Sequence, residues 1–178
     1  TPSGRPSKVV VTGLTKKFGD LLVLDNISFH VGEGEFLAIV GPTGCGKTTF
    51  LNVLSKLTPA TSGNILIDGD EANPRRHNLA FVFQEPSSMP WLTVRENVAF
   101  GMKVKGVNSR ERETRTQAIL DLVGLTSCCN LLPNQISASM EQRVSVARAF
   151  ATNPDLLLID EPYGQLSVKL RYYLEDEL

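Results

Sequence analysis

The strongest constraint on this chain is an eight-residue stretch, Gly41-Pro42-Thr43-Gly44-Cys45-Gly46-Lys47-Thr48. It follows an apolar run at 36–40, which predicts a buried strand, and precedes a segment at 49–57 with apolar residues at helical spacing. A strand, the pattern G-x-x-x-x-G-K-[ST] and a helix form the context of a phosphate-binding P-loop. Glycines let backbone N–H groups curl around an anion, and the helix N-terminus adds donors and partial positive charge. The alternative is a glycine-rich turn that carries a surface lysine.

The P-loop interpretation gives its last residues specific roles. Lys47 is predicted to reach the β- and γ-phosphates of a nucleotide, and the hydroxyl of Thr48 is predicted to ligate Mg²⁺. The predicted nucleotide-binding residues of this region are Gly41, Pro42, Thr43, Gly44, Cys45, Gly46, Lys47, Thr48 and Thr49.

Length and composition say little about the fold, but they disfavour nucleic-acid binding and a membrane-spanning segment. The 178 residues predict one domain, and 18 basic against 19 acidic residues give a net charge of -1. Without a basic cluster, nucleic acid is not an expected partner. No apolar run approaches the roughly 20 residues needed to cross a bilayer. The start of the chain is polar and predicts no signal peptide. The 3 cysteines, two of them adjacent, do not resemble a disulfide framework, which fits a reducing cytosol.

The remaining sequence predicts an α/β protein with a helical insert. Short strands are predicted at 8–15, 21–24, 27–31, 79–83 and 156–159, and the insert lies between the last two. Within the insert, a capping box at Thr93 and Glu96 opens one helix and Ser109 is a candidate cap for a second. Ser137 is predicted to cap the helix that runs to about residue 152, where Asn153-Pro154 stops it.

A second group of polar residues follows the predicted strands. Asp160 and Glu161 come directly after the apolar run at 156–159, and Gln84 follows the run at 79–83. Ligands of parallel sheets bind at the carboxyl ends of the strands. Asp160 in this position is the Walker B arrangement, whose carboxylate helps hold Mg²⁺ beside Thr48. Glu161 is placed to act as a general base toward water, and Gln84 to contact the metal or that water. The alternative for Asp160 and Glu161 is an acidic turn after a strand, and Gln84 taken alone is better explained as a surface glutamine.

Taken in order, these motifs resemble the nucleotide-binding domain of an ABC transporter, from Lys8 to about Leu170. Four matches lie outside the P-loop. Phe18, in Lys17-Phe18-Gly19, corresponds to the aromatic residue that stacks on adenine, and Gln84 corresponds to the Q-loop. Residues 136–143 correspond to the signature motif, and residues 157–162 correspond to Walker B and the catalytic glutamate. Cys45 and the sequence Pro90-Trp91 are similar to importers of nitrate, sulfonate or taurine-type anions.

The resemblance implies a fold, a site and partners. The fold would be a P-loop NTPase core with a mostly parallel sheet, an N-terminal antiparallel β portion and a helical subdomain at about 86–150, in a single ATP-binding domain over 1–178. Glu161 and Gln84 would be catalytic, Phe18 and Ser137 would contact ATP, and the metal ligands would be Thr48, Gln84 and Asp160. The chain would bind MgATP and pair with a second ATP-binding domain, the same or different. It would couple hydrolysis to solute import through an integral membrane permease, at the cytoplasmic face of the membrane.

Three departures from the family's pattern imply weak hydrolysis. Ala138 and Ser139 stand where the signature has two glycines, and Glu141 stands where related importers often carry a basic residue. Ser167 stands where the family has an aspartate. The family's C-terminal strands and switch histidine have no counterpart, because both histidines, His30 and His77, lie upstream.

Several alternatives stay open at this point. The chain resembles an importer subunit, but a catalytically degenerate regulatory subunit that works with an intact partner explains the same motifs. A non-transport ATPase acting on nucleic acid is disfavoured by the near-neutral charge. An unrelated P-loop GTPase or kinase does not explain the order of Gln84, Ser137 and Asp160. Phe18 is equally compatible with a core or turn aromatic, and Trp91 with a permease-facing surface or a buried core.

Overall fold

The structure, a computed structural model, describes residues 6–74 and 76–161. The chain divides into two compact units, with the division between His77 and Asn78. Both units mix helices and strands, as the predicted α/β class requires.

An antiparallel sheet forms the first unit, as predicted. Its four strands lie in the order β2-β1-β3-β4 and comprise β1 (Ser7–Phe18), β2 (Leu21–Gly32), β3 (Ser62–Ile67) and β4 (Asp70–Glu71). The sequence predicted two separate strands at 21–24 and 27–31, but β2 is continuous. Asn26 has a φ of 48°, and register shifts against β1 near Leu14 absorb this irregularity, so pairing resumes on either side.

One helix, α1 (Lys47–Leu54), follows the P-loop. It buries the apolar residues that the helical spacing predicted, and the ring centroids of Phe50 and Phe29 in β2 lie 5.5 Å apart. The helix ends before the predicted residue 57, because Lys56 has a φ of 60° and leaves the helical conformation.

The predicted buried strand at 36–40 is wrong. This segment has no regular secondary structure, and its apolar side chains are exposed, with Val40 at 88% and Phe36 at 64%. A strand needs backbone hydrogen bonds to a neighbouring strand. Among residues 6–74 and 76–161, no strand pairs with this segment, so its apolar pattern alone does not make it a strand.

The second unit contains the predicted helical insert between two parallel strands. Its elements are β5 (Leu79–Val82), α2 (Val94–Val104), α3 (Ser109–Leu122), α4 (Ala138–Ala151) and β6 (Leu156–Ile159). β5 and β6 pair in parallel, α2 packs against α3 and α4, and α4 packs against β5. Val98, Met102 and Leu120 are among the fully buried side chains of this core.

Two of the three helix caps predicted from the sequence are confirmed by the structure. The capping box at Thr93 is confirmed: Thr93 N–H donates to Glu96 Oε2 at 2.8 Å, and the hydrogen bonds from Thr93 lower the pKa of Glu96. Ser137 is confirmed as the cap of α4, where its Oγ accepts from Met140 N at 3.2 Å. Ser109 is wrong as a cap, because the side-chain Oδ1 of the preceding Asn108 accepts from Glu111 N at 3.0 Å.

The three cysteines are free thiols, with Cys128 and Cys129 buried and Cys45 exposed. Over the part of the chain that the structure describes, the helices are too short or too polar to span a bilayer.

Candidate nucleotide-binding site

The P-loop turns sharply at two glycines. Gly44 has a φ of 80° and Gly46 a φ of 102°, a region that side chains rarely enter, and the Cys45 amide donates to Pro42 O at 3.3 Å. A Cβ added at Gly46 would lie 3.2 Å from both the carbonyl oxygen and a side-chain carbon of Val23. Gly46 is also the N-cap of α1 and provides no capping side chain. The first turn of α1 therefore has the backbone geometry of an anion cradle.

Lys47 places a positive charge on this loop. Its Nζ donates to Gly41 O at 3.0 Å and to Pro42 O at 3.2 Å. The ammonium is thus folded back over the loop, within reach of an anion held by the backbone. Thr48 is exposed in the first turn of α1. The predicted phosphate-binding residues therefore lie on one turn and the start of one helix.

Phe18 ends β1 at the tip of the β1–β2 hairpin. It is 51% exposed, so the interpretation as a core aromatic is wrong. The Nζ of Lys16 lies 4.6 Å from the centroid of its ring. Lys16 is not among the site residues predicted from the sequence. The signal was available, because alternate residues of a strand share a face and Lys16 therefore accompanies Phe18.

The register of the first sheet brings Phe18 toward the P-loop. Phe18 pairs with Leu21 and Lys16 pairs with Leu24. A Cβ on Gly46 would lie 3.2 Å from a methyl carbon of Leu24. The N-terminus of α1 therefore packs against the same end of the hairpin that carries the exposed aromatic ring.

The second unit places Gln84 and Asp160 at one sheet edge. Val82 pairs with Ile159, and Asp160 N–H donates to Val82 O at 3.0 Å. Gln84 and Glu161 each lie two residues beyond this last pair and are exposed, whereas Asp160 is buried at 4% exposure. The prediction that these residues meet at the carboxyl ends of parallel strands agrees with this geometry.

Glu161 has a strained backbone. Its φ is 43°, in the left-handed region, which costs a residue with a side chain about 1–2 kcal/mol. Such strain persists only where the surrounding structure holds the residue, and it concentrates at functional sites. The strained bend lies at the residue predicted to act as the general base, and that role stays a prediction.

Three polar side chains of α4 hold the segment that surrounds Gln84. Gln142 Nε2 donates to Phe83 O at 3.3 Å, and Ser87 N–H donates to Ser145 Oγ at 3.2 Å. Arg148 donates to Ser87 O at 2.7 Å and to Ser87 Oγ at 2.5 Å. Burial lowers the pKa of Arg148 from its ordinary value. These residues are not among those predicted from the sequence, although their spacing of three along an apolar helix indicates one polar stripe.

Trp91 lies in an exposed loop whose backbone is held by hydrogen bonds to a buried asparagine. It is 73% exposed, which rules out the buried-core interpretation. Asn97 is fully buried and accepts from Met89 N at 2.7 Å, while its Nδ2 donates to Leu92 O at 3.0 Å. Trp91 is therefore presented to the surface by an ordered loop.

Comparison with known proteins identifies the family. A family model described as ABC transporter matches residues 24–164, which is most of the chain. The chain belongs to the ABC transporter family. It resembles an ABC transporter ATP-binding protein of Methanocaldococcus jannaschii, with 40% identity over 175 residues that cover 96% of this chain and 66% of that protein. It is also 38% identical over 175 residues to the xylose/arabinose import ATP-binding protein of Haloferax volcanii, covering 96% of this chain and 46% of that protein. The chain thus spans less than two thirds of the length of these relatives.

Solved ABC structures share the fold. An ATP-binding cassette solved as a dimer in a post-hydrolysis state, bound to ADP and Pi, superposes with a TM-score of 0.86 and 34% identity, covering 94% of this chain and 82% of that chain. A structure of the ATP-binding subunit of an ABC transporter gives a TM-score of 0.85 and 27% identity, covering 94% and 72%. The fold prediction, a P-loop ABC cassette with an antiparallel N-terminal sheet, is confirmed.

The ABC signature region starts a helix. Ser137 is exposed and caps α4, and Ala138 and Ser139 are its first two helical residues. Glu141 lies in the same first turn. The contact of Ser137 with a nucleotide stays a prediction. The departures noted at Ser167 and the sequence after Glu161 lie outside the described residues.

The oxygen donors of the ABC site suit a nucleotide-bound cation. Within the described ranges, no three His, Cys, Asp or Glu side chains cluster as an all-protein metal site would require. Mg²⁺ is typically held by one or two protein oxygens together with substrate phosphates and water. The Thr48 hydroxyl in the first unit, and the Gln84 amide and Asp160 carboxylate in the second, are each oxygen donors of that kind.

Proposed function

We propose that this chain binds MgATP on its P-loop and, as a dimer, couples ATP hydrolysis to solute import through an integral membrane permease. The observation that carries this proposal is the cradle at the N-terminus of α1, with Gly44 and Gly46 in left-handed conformations and the Lys47 ammonium over the loop. The similarity to a dimeric cassette bound to ADP and Pi, and to an import ATP-binding protein, supports the same function.

Each site residue then has a distinct task. Lys47 exchanges its bonds to two loop carbonyls for bonds to phosphate, while the amides of α1 bind the remaining phosphate oxygens. Phe18 stacks on adenine, which contributes about 1–3 kcal/mol by analogy with base–aromatic stacking. Thr48 and Asp160 would hold Mg²⁺, which would supply positive charge to neutralise the phosphates. Glu161 orients a water and takes its proton, and Gln84 contacts that water or the cation.

The partners follow from the same proposal. A second ATP-binding domain, identical or not, presents its signature helix to the bound ATP. The permease docks on the surface that carries the exposed Trp91, at the cytoplasmic face of the membrane. Aromatic residues that stand out from an ordered backbone are typical anchors of protein interfaces.

A substitution at Glu161 tests the enzymatic part. Glu161→Gln removes the proton acceptor and keeps the shape, so steady-state ATP hydrolysis is expected to fall about 10²- to 10⁴-fold while ATP affinity is retained. The measurement is phosphate release by the purified chain, beside equilibrium binding of ATP.

Glu71→Gln is the matched control. Its carboxylate makes only a surface ion pair with Lys56 at 3.3 Å, so the change is expected to leave hydrolysis unaltered. Equal turnover in the two variants would rule out Glu161 as the base.

A second function is favoured by the first turn of α4. Ala138 and Ser139 place a Cβ where glycines would allow the backbone to approach the partner's ATP, and Glu141 adds negative charge there. Losing one preorganised donor can cost about 10²–10³ in rate. The alternative is therefore a catalytically degenerate regulatory subunit whose intact partner completes the working site. ATP binding without turnover in both the unaltered chain and Glu161→Gln would select this alternative.

A further inference from the structure

We infer that Lys16 is a positioning residue for the nucleobase: its ammonium holds one face of the Phe18 ring and leaves the opposite face for adenine. This inference rests on the proposed binding of ATP and assigns the residue that orients the base.

The geometry of the pair carries the inference. Lys16 Nζ lies over the Phe18 ring, 4.6 Å from its centroid. Lys16 is only 8% exposed, whereas Phe18 is 51% exposed. A buried ammonium is attracted to the electron-rich face of an aromatic ring, more strongly where water is excluded. One face of the ring is therefore taken by the cation, and the exposed part of the ring remains available for stacking.

A second contact keeps the ammonium in place. Lys16 Nζ donates to Pro59 O at 2.8 Å. Two more hydrogen bonds hold the same segment to the end of β1, from Thr61 N–H to Thr15 O at 2.9 Å and from Lys17 N–H to Thr61 Oγ1 at 2.9 Å. The lysine is thus anchored to the loop that follows α1, and it cannot leave the ring without losing a buried hydrogen bond.

This anchoring pre-organises the base site. A free phenylalanine at a hairpin tip samples several rotamers, and fixing one of them on binding costs free energy. The ammonium fixes the ring beforehand. It also draws π-electron density toward itself, which lowers the repulsion between the ring and the π-electrons of a base on the other face. Both effects act on the base and neither acts on the phosphates.

Ligands with and without a base separate this role from a general loss of positive charge. Binding of ATP and of inorganic tripolyphosphate is measured by calorimetry for the unaltered chain, Lys16→Met, Lys16→Arg and Lys17→Met. Lys17 is the matched control, because it is exposed, adjacent and equally charged but makes no ring contact in the described structure. Lys16→Met is expected to weaken ATP about 3- to 10-fold and to leave tripolyphosphate unchanged. Lys16→Arg, which keeps a cation able to stack on the ring, is expected to restore ATP binding.

A double variant tests the coupling to the ring itself. In a Phe18→Leu background, Lys16→Met is expected to have no further effect on ATP affinity, because the ring that it orients is gone. If Lys16→Met does not fold, as judged by circular dichroism, Lys16→Gln provides an uncharged amide for the same comparison.

The outcomes separate the two claims. Equal ATP affinities for Lys16→Met and Lys17→Met, or a parallel loss of tripolyphosphate affinity, would overturn the role of Lys16 and leave ATP binding by the chain intact. Absence of ATP binding by the unaltered chain would overturn the proposed function, and the role of Lys16 with it.

Discussion

Gly46 is the residue on which the P-loop geometry depends most directly. Its φ of 102° excludes side chains on conformational grounds, and the contact of an added Cβ with Val23 O at 3.2 Å excludes them on steric grounds. Gly44 has a comparable φ of 80°, but an added Cβ would meet nothing within 4 Å. Gly46 is therefore required by both its backbone conformation and its packing, whereas Gly44 is required by its backbone conformation alone.

Gly46→Ala is expected to lower the free energy of unfolding by about 2–4 kcal/mol, because left-handed strain of about 1–2 kcal/mol adds to the contact with β2. It is also expected to abolish tripolyphosphate binding, since the first turn of α1 must shift. Urea denaturation and calorimetry measure the two effects. Gly69→Ala is the control: its φ is 83° with open space around it, so only the strain applies and anion binding persists. Equal destabilisation by the two changes would contradict the steric account.

Helix α4 connects two functional segments of the second unit. Its N-terminus is the signature region capped by Ser137, and its polar stripe binds the backbone on both sides of Gln84 through Phe83 and Ser87. Any displacement of α4 therefore acts on the loop that carries Gln84. Helix α4 therefore packs against β5 and also supports the loop that carries Gln84.

Arg148→Met is expected to cost about 1–3 kcal/mol of stability, because Ser87 O loses its charged donor in a half-buried place. The amide of Ser87 is expected to exchange its hydrogen faster, as measured by mass spectrometry. Although burial lowers the pKa of Arg148, guanidinium stays protonated at physiological pH, so this contribution is expected to be constant from about pH 5 to 9.

Arg115→Met is the control for Arg148. Arg115 makes one surface ion pair with Glu111 at 3.3 Å, which contributes about 0.3–0.5 kcal/mol. A similar loss in both variants, or unchanged exchange at Ser87, would argue that Arg148 does not hold the loop.

For the whole molecule, the proposed function requires two copies or two related domains around ATP. The net charge of -1 creates little long-range repulsion between chains, so association depends on the site itself. The ABC structure that superposes here was solved as a dimer.

MgATP is expected to convert the Glu161→Gln chain from monomer to dimer, because bound ATP persists when its hydrolysis is blocked. Light scattering after size-exclusion chromatography measures the mass. Lys47→Ala in the same background is expected to stay monomeric, since it removes the phosphate-binding ammonium. A monomer at every ATP concentration that saturates the Glu161→Gln chain would exclude a homodimer.

Patterns that act over a few residues were predictable from the sequence. The P-loop, the capping box at Thr93, the cap at Ser137 and the apolar strand before Asp160 all depend on neighbours within one turn or one strand. Local backbone sterics and short hydrogen bonds decide such features, and these are determined by the residues themselves. The meeting of Gln84 and Asp160 at one edge followed from the rule for parallel strands.

Contacts between residues far apart in sequence were decided only by the tertiary structure. The apolar run at 36–40 is not a strand, because strand formation requires a partner that no local pattern specifies. Lys16 meets Pro59 across 43 positions and Arg148 meets Ser87 across 61. In both cases the charged side chain is fixed by a backbone carbonyl, a group that every residue carries. The sequence therefore does not indicate which distant carbonyl accepts the hydrogen bond, and only folding brings Lys16 to Pro59 and Arg148 to Ser87.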